Sequence, residues 1–122
     1  MNTTVLNDQQ QQGLTDLLLL GMYADTHLSA FEDARLERLL DAMAFSSDHA
    51  RRLFVDAAIL RVRRMGQDAR DRLKLMTDVA AMFPRAEKRR EICRALEELL
   101  AGDGTLTPAE QRFLNEVQQI FR

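Results

Sequence analysis

The chain contains no tryptophan, one cysteine, two prolines and five glycines among its 122 residues. The single cysteine, Cys93, excludes an intramolecular disulfide and a zinc site built from several cysteines, and it fits a reducing compartment. So few glycines and prolines leave little turn-forming sequence for a β-sandwich or a barrel. No segment approaches the run of about 20 apolar residues that a membrane span requires. These absences favour a helical protein without a membrane-spanning segment.

The amino-terminal segment also lacks the features of a secretory signal. Residues 1–12 contain no Lys or Arg, and the apolar run at 17–20 is followed at once by Gly21. A signal peptide needs a basic start and a longer apolar stretch. We therefore expect a cytoplasmic protein that forms one domain over residues 1–122, with a frayed amino terminus within residues 1–12.

Apolar residues recur at the helical period in every long segment of the chain. The spacing i, i+3, i+4, i+7 predicts six helices, and no stretch alternates apolar and polar residues long enough to predict a strand. The sequence therefore predicts an all-α fold, a compact bundle of about six to seven helices with short connections. The predicted core faces lie within Leu14–Met22, Leu36–Met43, Phe54–Arg61, Leu73–Phe83, Ile92–Leu100 and Phe113–Phe121.

The pattern Asp-x-x-Leu-Ser/Thr-x-x-Glu occurs twice, at residues 25–32 and 103–110. Each copy follows one apolar helix and precedes another, so the chain is predicted to contain two pseudo-symmetric helical hairpins around a middle segment. The spacing of Ser29 and Glu32, and of Thr107 and Glu110, is that of a capping box. Helix capping therefore explains the second half of each motif.

Capping does not explain Asp25 and Asp103, which lie four residues ahead of the predicted caps. The second copy matches only the latter half of an EF-hand loop, because Leu99 and Ala101 occupy its first and third positions. An ordinary EF-hand is therefore rejected, but the carboxylates could still reach one hard cation whose shell backbone carbonyls and water complete. This hypothesis takes Ca²⁺ or Mg²⁺ as the cation and four acids as ligands, namely Asp25, Glu32, Asp103 and Glu110.

Two histidines give weaker alternatives. His27 lies beside Asp25 and could bind a transition metal such as Zn²⁺, although an ordinary loop histidine is the simpler interpretation. His49 falls in the first turn of the predicted third helix and has no metal-binding pattern around it. The chain has no phosphate-binding glycine loop, nucleophile elbow or His-Glu-x-x-His motif, so we expect a protein without enzymatic activity.

The two acidic blocks resemble those of the TerB-like proteins of bacterial tellurite-resistance and stress-response systems. The resemblance is carried by residues 19–25, 28–32 and 103–110 and covers about residues 14–121. It implies an all-helical domain that binds a divalent metal, and partners in the same stress-response system that are membrane-embedded or bind metal. The metal ligands that it implies are Asp25, Glu32, Asp103 and Glu110. Thr26 and His27 depart from the Asp-Gly pattern of the family block.

The charges are unevenly distributed along the chain. Residues 51–94 hold 13 basic and six acidic side chains, a net charge of +7, whereas the flanking segments together carry −9. This division supports an alternative function, a metal-free module that docks a partner protein or an anionic surface. The basic residues at its centre would be Arg85, Lys88, Arg89 and Arg90. The segment contains no aromatic stacking platform outside its predicted core faces, which disfavours nucleic acid, and the sequence does not indicate an oligomeric state.

Overall fold

The computed structural model describes residues 6–22, 33–102 and 104–122, which fold into six helices and no strand. The prediction of an all-α fold is therefore confirmed. The helices are α1 (Asp8–Met22), α2 (Ala34–Asp41), α3 (Asp48–Met65), α4 (Ala69–Ala81), α5 (Ala86–Ala101) and α6 (Pro108–Phe121).

Helix α1 is the centre of the bundle. It packs against each of the other five helices, and all of its residues from Gly13 to Met22 are buried. This agrees with its sequence, which is apolar on most of its circumference. Gly21 permits a close approach of α5 and α6, because a Cβ there would lie 2.8 Å from Cε2 of Phe113 and 3.1 Å from Cδ1 of Leu100. The core around α1 therefore fixes the hairpin formed by α5 and α6.

The helix ends follow local sequence signals, namely polar N-caps and a proline. Ser47 caps α3 by accepting a hydrogen bond from the Ala50 backbone N–H, and α4 ends at Ala81, ahead of Pro84. Thr107 caps α6 in the predicted capping box. Helix α2, in contrast, begins at Ala34 and is capped by Asp33. The predicted cap at Ser29 is therefore not the cap of the helix that carries Leu36, and Ser29 itself lies outside the described residues.

The predicted core faces of α3 and α4 are right in part, because Ala58, Met76, Ala80 and Phe83 are buried as predicted. Leu73 was expected in the core but is 52% exposed, and Leu53 and Leu60 are exposed as well. Both helices carry apolar residues on more than one side, so the helical period fits two alternative faces. The faces that pack inward are formed by Val55, Ala58, Ile59 and Val62 in α3 and by Leu75, Met76, Val79 and Ala80 in α4.

The polar glutamine run near the amino terminus is helical rather than frayed. Asn7 Oδ1 accepts a hydrogen bond from the Gln10 backbone N–H, and Gln10 Oε1 accepts one from the Asn7 N–H. This reciprocal pair satisfies two N–H groups at the start of α1, as a capping box does. Gln10 Nε2 also donates to the carbonyl of Met82 at 2.9 Å, which ties the start of α1 to the end of α4.

Candidate functional site

One of the four predicted metal ligands, Glu110, belongs to the described residues. It lies in the first turn of α6 and is only 2% exposed. Its Oε1 accepts a hydrogen bond from the Thr107 backbone N–H at 2.9 Å, while Thr107 Oγ1 accepts one from the Glu110 N–H at 3.1 Å. The capping box is thus confirmed for the second copy of the motif. Asp25, Glu32 and Asp103 lie outside the described residues.

The second oxygen of Glu110 accepts a hydrogen bond from Arg35, which is not among the residues predicted from the sequence. Arg35 Nη1 lies 2.5 Å from Glu110 Oε2 and 3.2 Å from the carbonyl oxygen of Leu100, to which it also donates. On its other side, Arg35 Nε and Nη2 donate to the two carboxylate oxygens of Asp33, at 2.9 and 2.7 Å. Arg35 therefore joins the start of α2, the end of α5 and the start of α6.

The electrostatics of this cluster follow from its burial. The side chains of Asp33 and Glu110 are 4% and 2% exposed, and that of Arg35 is 14% exposed. Burial by itself would raise the pKa of Asp33, but the hydrogen bonds and charge of Arg35 outweigh it and lower this pKa. The hydrogen bonds from Arg35 to Asp33 likewise raise the pKa of Arg35, against the effect of its burial. Asp33 and Arg35 are therefore both charged at neutral pH.

The chain neighbours of two other predicted ligands, Glu32 and Asp103, lie around the same guanidinium. Asp33 directly follows Glu32 in the sequence, and Gly102 directly precedes Asp103. A Cβ at Gly102 would lie 3.8 Å from Cγ of Arg35. The cluster of Asp33, Arg35 and Glu110, together with these neighbours, is called the acidic end below. Within the parts of the chain that the structure describes, no group of three or more His, Cys, Asp or Glu side chains could hold a metal ion.

A sequence signal for Arg35 existed but was weak. The Asp33-x-Arg35 pair follows the first copy of the motif directly, and an acid one residue ahead of a helix is a common N-cap. Nothing in the sequence spacing showed that its guanidinium would meet Glu110, 75 residues later. That contact depends on the packing of α2 against α5 and α6.

The four basic residues predicted to bind a partner have different environments. Arg89 Nε donates to the carbonyl of Phe83 at 2.6 Å and Nη2 to that of Ala80 at 3.0 Å, so this side chain closes the end of α4. Lys88 pairs with Glu91 at 3.3 Å. Arg85 and Arg90 are exposed. One of the four therefore has a structural role, whereas Arg90 faces solvent.

Arg90 belongs to an open groove between α5 and the end of α6. The groove has a volume of about 410 Å³. Arg90, Arg94 and Cys93 line it from α5, and Phe121 and Arg122 line it from the other wall. Cys93 is half-buried, and this burial raises the pKa of its thiol. We call this feature the basic groove.

The acidic end and the basic groove lie at opposite ends of one hairpin. Helices α5 and α6 pack against each other and are connected by residues 102–107, so the end of α5 meets the start of α6. Leu100 and Glu110 share Arg35 at that end, while Arg90 and Arg122 lie at the other. The ten residues from Arg90 to Leu100 correspond to about 15 Å along a helix.

The model of one family, described as the tellurite resistance protein TerB, matches residues 11–122. The chain belongs to the TerB family. The match includes every described helix except the first residues of α1, and it contains both the acidic end and the basic groove. No curated protein and no solved structure matches the chain.

The family match confirms the resemblance inferred from the acidic blocks. TerB domains are generally non-enzymatic helical domains, which agrees with the six-helix bundle described above. Among the described helices, none is long and apolar enough to cross a membrane.

A second buried ion pair of this TerB domain joins α1 to α3. Arg61 Nε and Nη2 donate to the two carboxylate oxygens of Asp16 at 3.0 and 2.9 Å, and the side chain of Asp16 is 4% exposed. Burial raises the pKa of Asp16 even though the hydrogen bonds and charge of Arg61 oppose this rise. The pair lies within the helix packing, so we assign it a structural role.

Proposed function

We propose that this TerB domain is a non-enzymatic cytoplasmic protein that binds a divalent cation at its acidic end, within a tellurite-resistance or stress-response system. The ligands would be Asp25, Glu32, Asp103 and Glu110. Ca²⁺ or Mg²⁺ is favoured over Zn²⁺, because carboxylate oxygens suit hard cations. The observation that carries the proposal is the convergence of buried carboxylates on one guanidinium at this end.

The described carboxylates fit such a cation in their chemistry. Glu110 uses each of its two oxygens to accept one hydrogen bond, from Thr107 and from Arg35. A carboxylate has about four lone-pair sites, so Glu110 retains acceptor capacity for a cation while it caps α6. Arg35 already provides one positive charge to this region. A divalent cation would therefore compete with Arg35 for Glu110.

This competition suggests how cation binding could affect a partner. Arg35 links α2 to the ends of α5 and α6 through Asp33, Leu100 and Glu110. If a cation draws Glu110 away from Arg35, this link becomes weaker, and the position of α2 relative to the hairpin can change. Cation occupancy would then regulate how the domain meets other proteins of the system, including membrane-embedded ones.

The direct test is thermal unfolding of EDTA-treated protein with Ca²⁺, Mg²⁺, Mn²⁺ or Zn²⁺, alongside Asp25→Asn and Asp103→Asn variants. A cation at 100 times its dissociation constant stabilises the folded state by about 2.7 kcal/mol, which raises the midpoint of a domain this size by about 10 °C. We expect a shift with Ca²⁺ or Mg²⁺ that both variants reduce. Glu116→Gln, an exposed acid on α6, is the matched control and should keep the full shift.

A further variant tests the competition with Arg35. Arg35→Met removes the internal cation, so added Ca²⁺ or Mg²⁺ should stabilise this variant by more degrees than it stabilises the original protein. A flat response to all four cations, in both proteins, would overturn the proposed function. A shift that Asp25→Asn and Asp103→Asn leave unchanged would show that the cation binds elsewhere.

A further inference from the structure

The basic groove has guanidinium groups on both of its walls. Arg90 and Arg94 stand one helical turn apart on α5, and Arg122 approaches from the opposite wall. Among the described residues, none of these three side chains makes an ion pair or a side-chain hydrogen bond, and all three are exposed. Three positive charges therefore converge on one concavity without an internal counter-charge from a paired carboxylate.

The neighbouring residue Arg89 provides a contrast, because its guanidinium has partners within the protein. Arg89 also lines the groove, but its guanidinium is held by the carbonyls of Phe83 and Ala80. Its role in ending α4 accounts for its presence without any ligand. In the parts of the chain that the structure describes, Arg90, Arg94 and Arg122 have no comparable internal partner. Glu97 is the one acidic side chain in the lining, so positive charge prevails.

The shape and composition of the groove select among anionic ligands. A single oxyanion would fill only a small part of about 410 Å³. A bilayer is a broad surface and does not enter a groove between two helices. Nucleic acid binds aromatic side chains through base stacking, but Phe121, the aromatic residue of the lining, is only 4% exposed. A peptide that carries carboxylates fits the shape of the groove because it is narrow. It also fits the composition, because carboxylates pair well with the planar guanidinium of arginine.

We propose that the basic groove is the docking site for an acidic segment of a partner protein, with Arg90, Arg94 and Arg122 binding its carboxylates. Cys93, which is half-buried in the lining, provides an apolar surface on which a side chain between two acids can rest. This inference is independent of cation binding, because the groove lies at the opposite end of the α5–α6 hairpin from Glu110.

Cys93 makes the site directly measurable, because it is the only cysteine of the chain and it lines the groove. The probe is a short fluorescein-labelled peptide of repeated Glu-Glu-Leu, whose affinity is measured by anisotropy on the full chain. The same peptide without the label is then tested for its ability to slow the reaction of Cys93 with N-ethylmaleimide, a neutral reagent. We expect saturable binding and a concentration-dependent protection of Cys93 with the same midpoint.

The variant Arg90→Glu/Arg94→Glu should weaken the peptide by about tenfold or more, because each exposed pair contributes up to about fivefold and reversal adds repulsion. The matched control is Arg63→Glu/Arg64→Glu, which makes the same change in net charge on two exposed arginines at the end of α3. This control should bind within about twofold of the original protein. Circular dichroism of both variants checks that the helices are intact.

Three results would overturn the proposal. The first is no saturable binding of the peptide at about millimolar concentration. The second is equal weakening by the two double variants, which would indicate attraction by net charge alone. The third is binding to phosphatidylserine vesicles, to single-stranded RNA or to inorganic phosphate that protects Cys93 while the acidic peptide does not, which would assign the groove to another anion. A Lys-Lys-Leu peptide should not bind in any case.

Discussion

The two ends of the α5–α6 hairpin use arginine in opposite ways. At the acidic end, Arg35 is 14% exposed, and its guanidinium donates four hydrogen bonds, to Asp33, Glu110 and Leu100. At the basic groove, Arg90 and Arg94 are exposed and have no ion-pair partner among the described residues. The same residue type therefore stabilises the fold at one end and leaves charge available to a ligand at the other.

The difference follows from burial. An ion pair that is shielded from water is costly to break, because removing one partner leaves an uncompensated charge in a poorly solvated place. An exposed guanidinium is solvated by water and screened by salt, so its removal changes stability very little. Substitutions at the acidic end should therefore change the free energy of unfolding, whereas substitutions in the groove should change binding.

The largest effect is expected for Arg35→Met. The change leaves Asp33 and Glu110 as buried carboxylates without a counter-ion, and it should reduce the free energy of unfolding by about 3 kcal/mol, measured by urea denaturation at neutral pH without divalent cations. Arg112→Met, an exposed arginine on α6, is the control and should stay within about 0.5 kcal/mol. A loss below about 1 kcal/mol in Arg35→Met would mean that water replaces the guanidinium and that the cluster is not structural.

Two adjacent residues provide the next contrast. Arg89→Ala removes the charged donor from the carbonyls of Phe83 and Ala80 and should lower the free energy of unfolding by about 1.5–3 kcal/mol. Arg90→Ala should lower it by no more than about 0.5 kcal/mol. Both variants remove one positive charge from the same turn of α5, so net charge cannot explain a difference. Equal denaturation midpoints for the two would show that Arg89 does not stabilise the end of α4.

The sequence predicted the number and type of the helices better than it predicted their inward faces. The sequence predicts the burial of α1 without ambiguity, because this helix is apolar on most sides. It also predicts the capping box of Thr107 and Glu110, because that motif depends on residues close together in the sequence. The period correctly predicts Met76 and Ala80 in the core of α4, but it also includes Leu73, which is exposed, because helical period alone cannot choose between Leu73 and Leu75. Only the packing of α4 against α1 and α6 decides that choice.

The candidate sites show the same limit. Glu110 was found through its motif, but its contact with Arg35 spans 75 residues and arises from the meeting of three helix ends. The charge of residues 51–94 indicates a basic surface, but one wall of the basic groove is formed by Phe121 and Arg122, which lie outside that segment. Whether Asp25, Glu32 and Asp103 bind a cation stays a prediction.

The smallest effect concerns Cys93 and tests how the groove is built. Burial raises the pKa of this thiol, although Arg90 and Arg94 line the same groove. Only the thiolate is nucleophilic, so its reaction with N-ethylmaleimide should be a few-fold slower than that of a free thiol at neutral pH and should titrate at a higher pH. The same protein unfolded in urea supplies the reference rate. If the pH midpoint of the reaction were lower in the folded than in the unfolded protein, Arg90 and Arg94 would lie against the sulfur. The carboxylates of a partner would then have to displace the thiolate from these arginines.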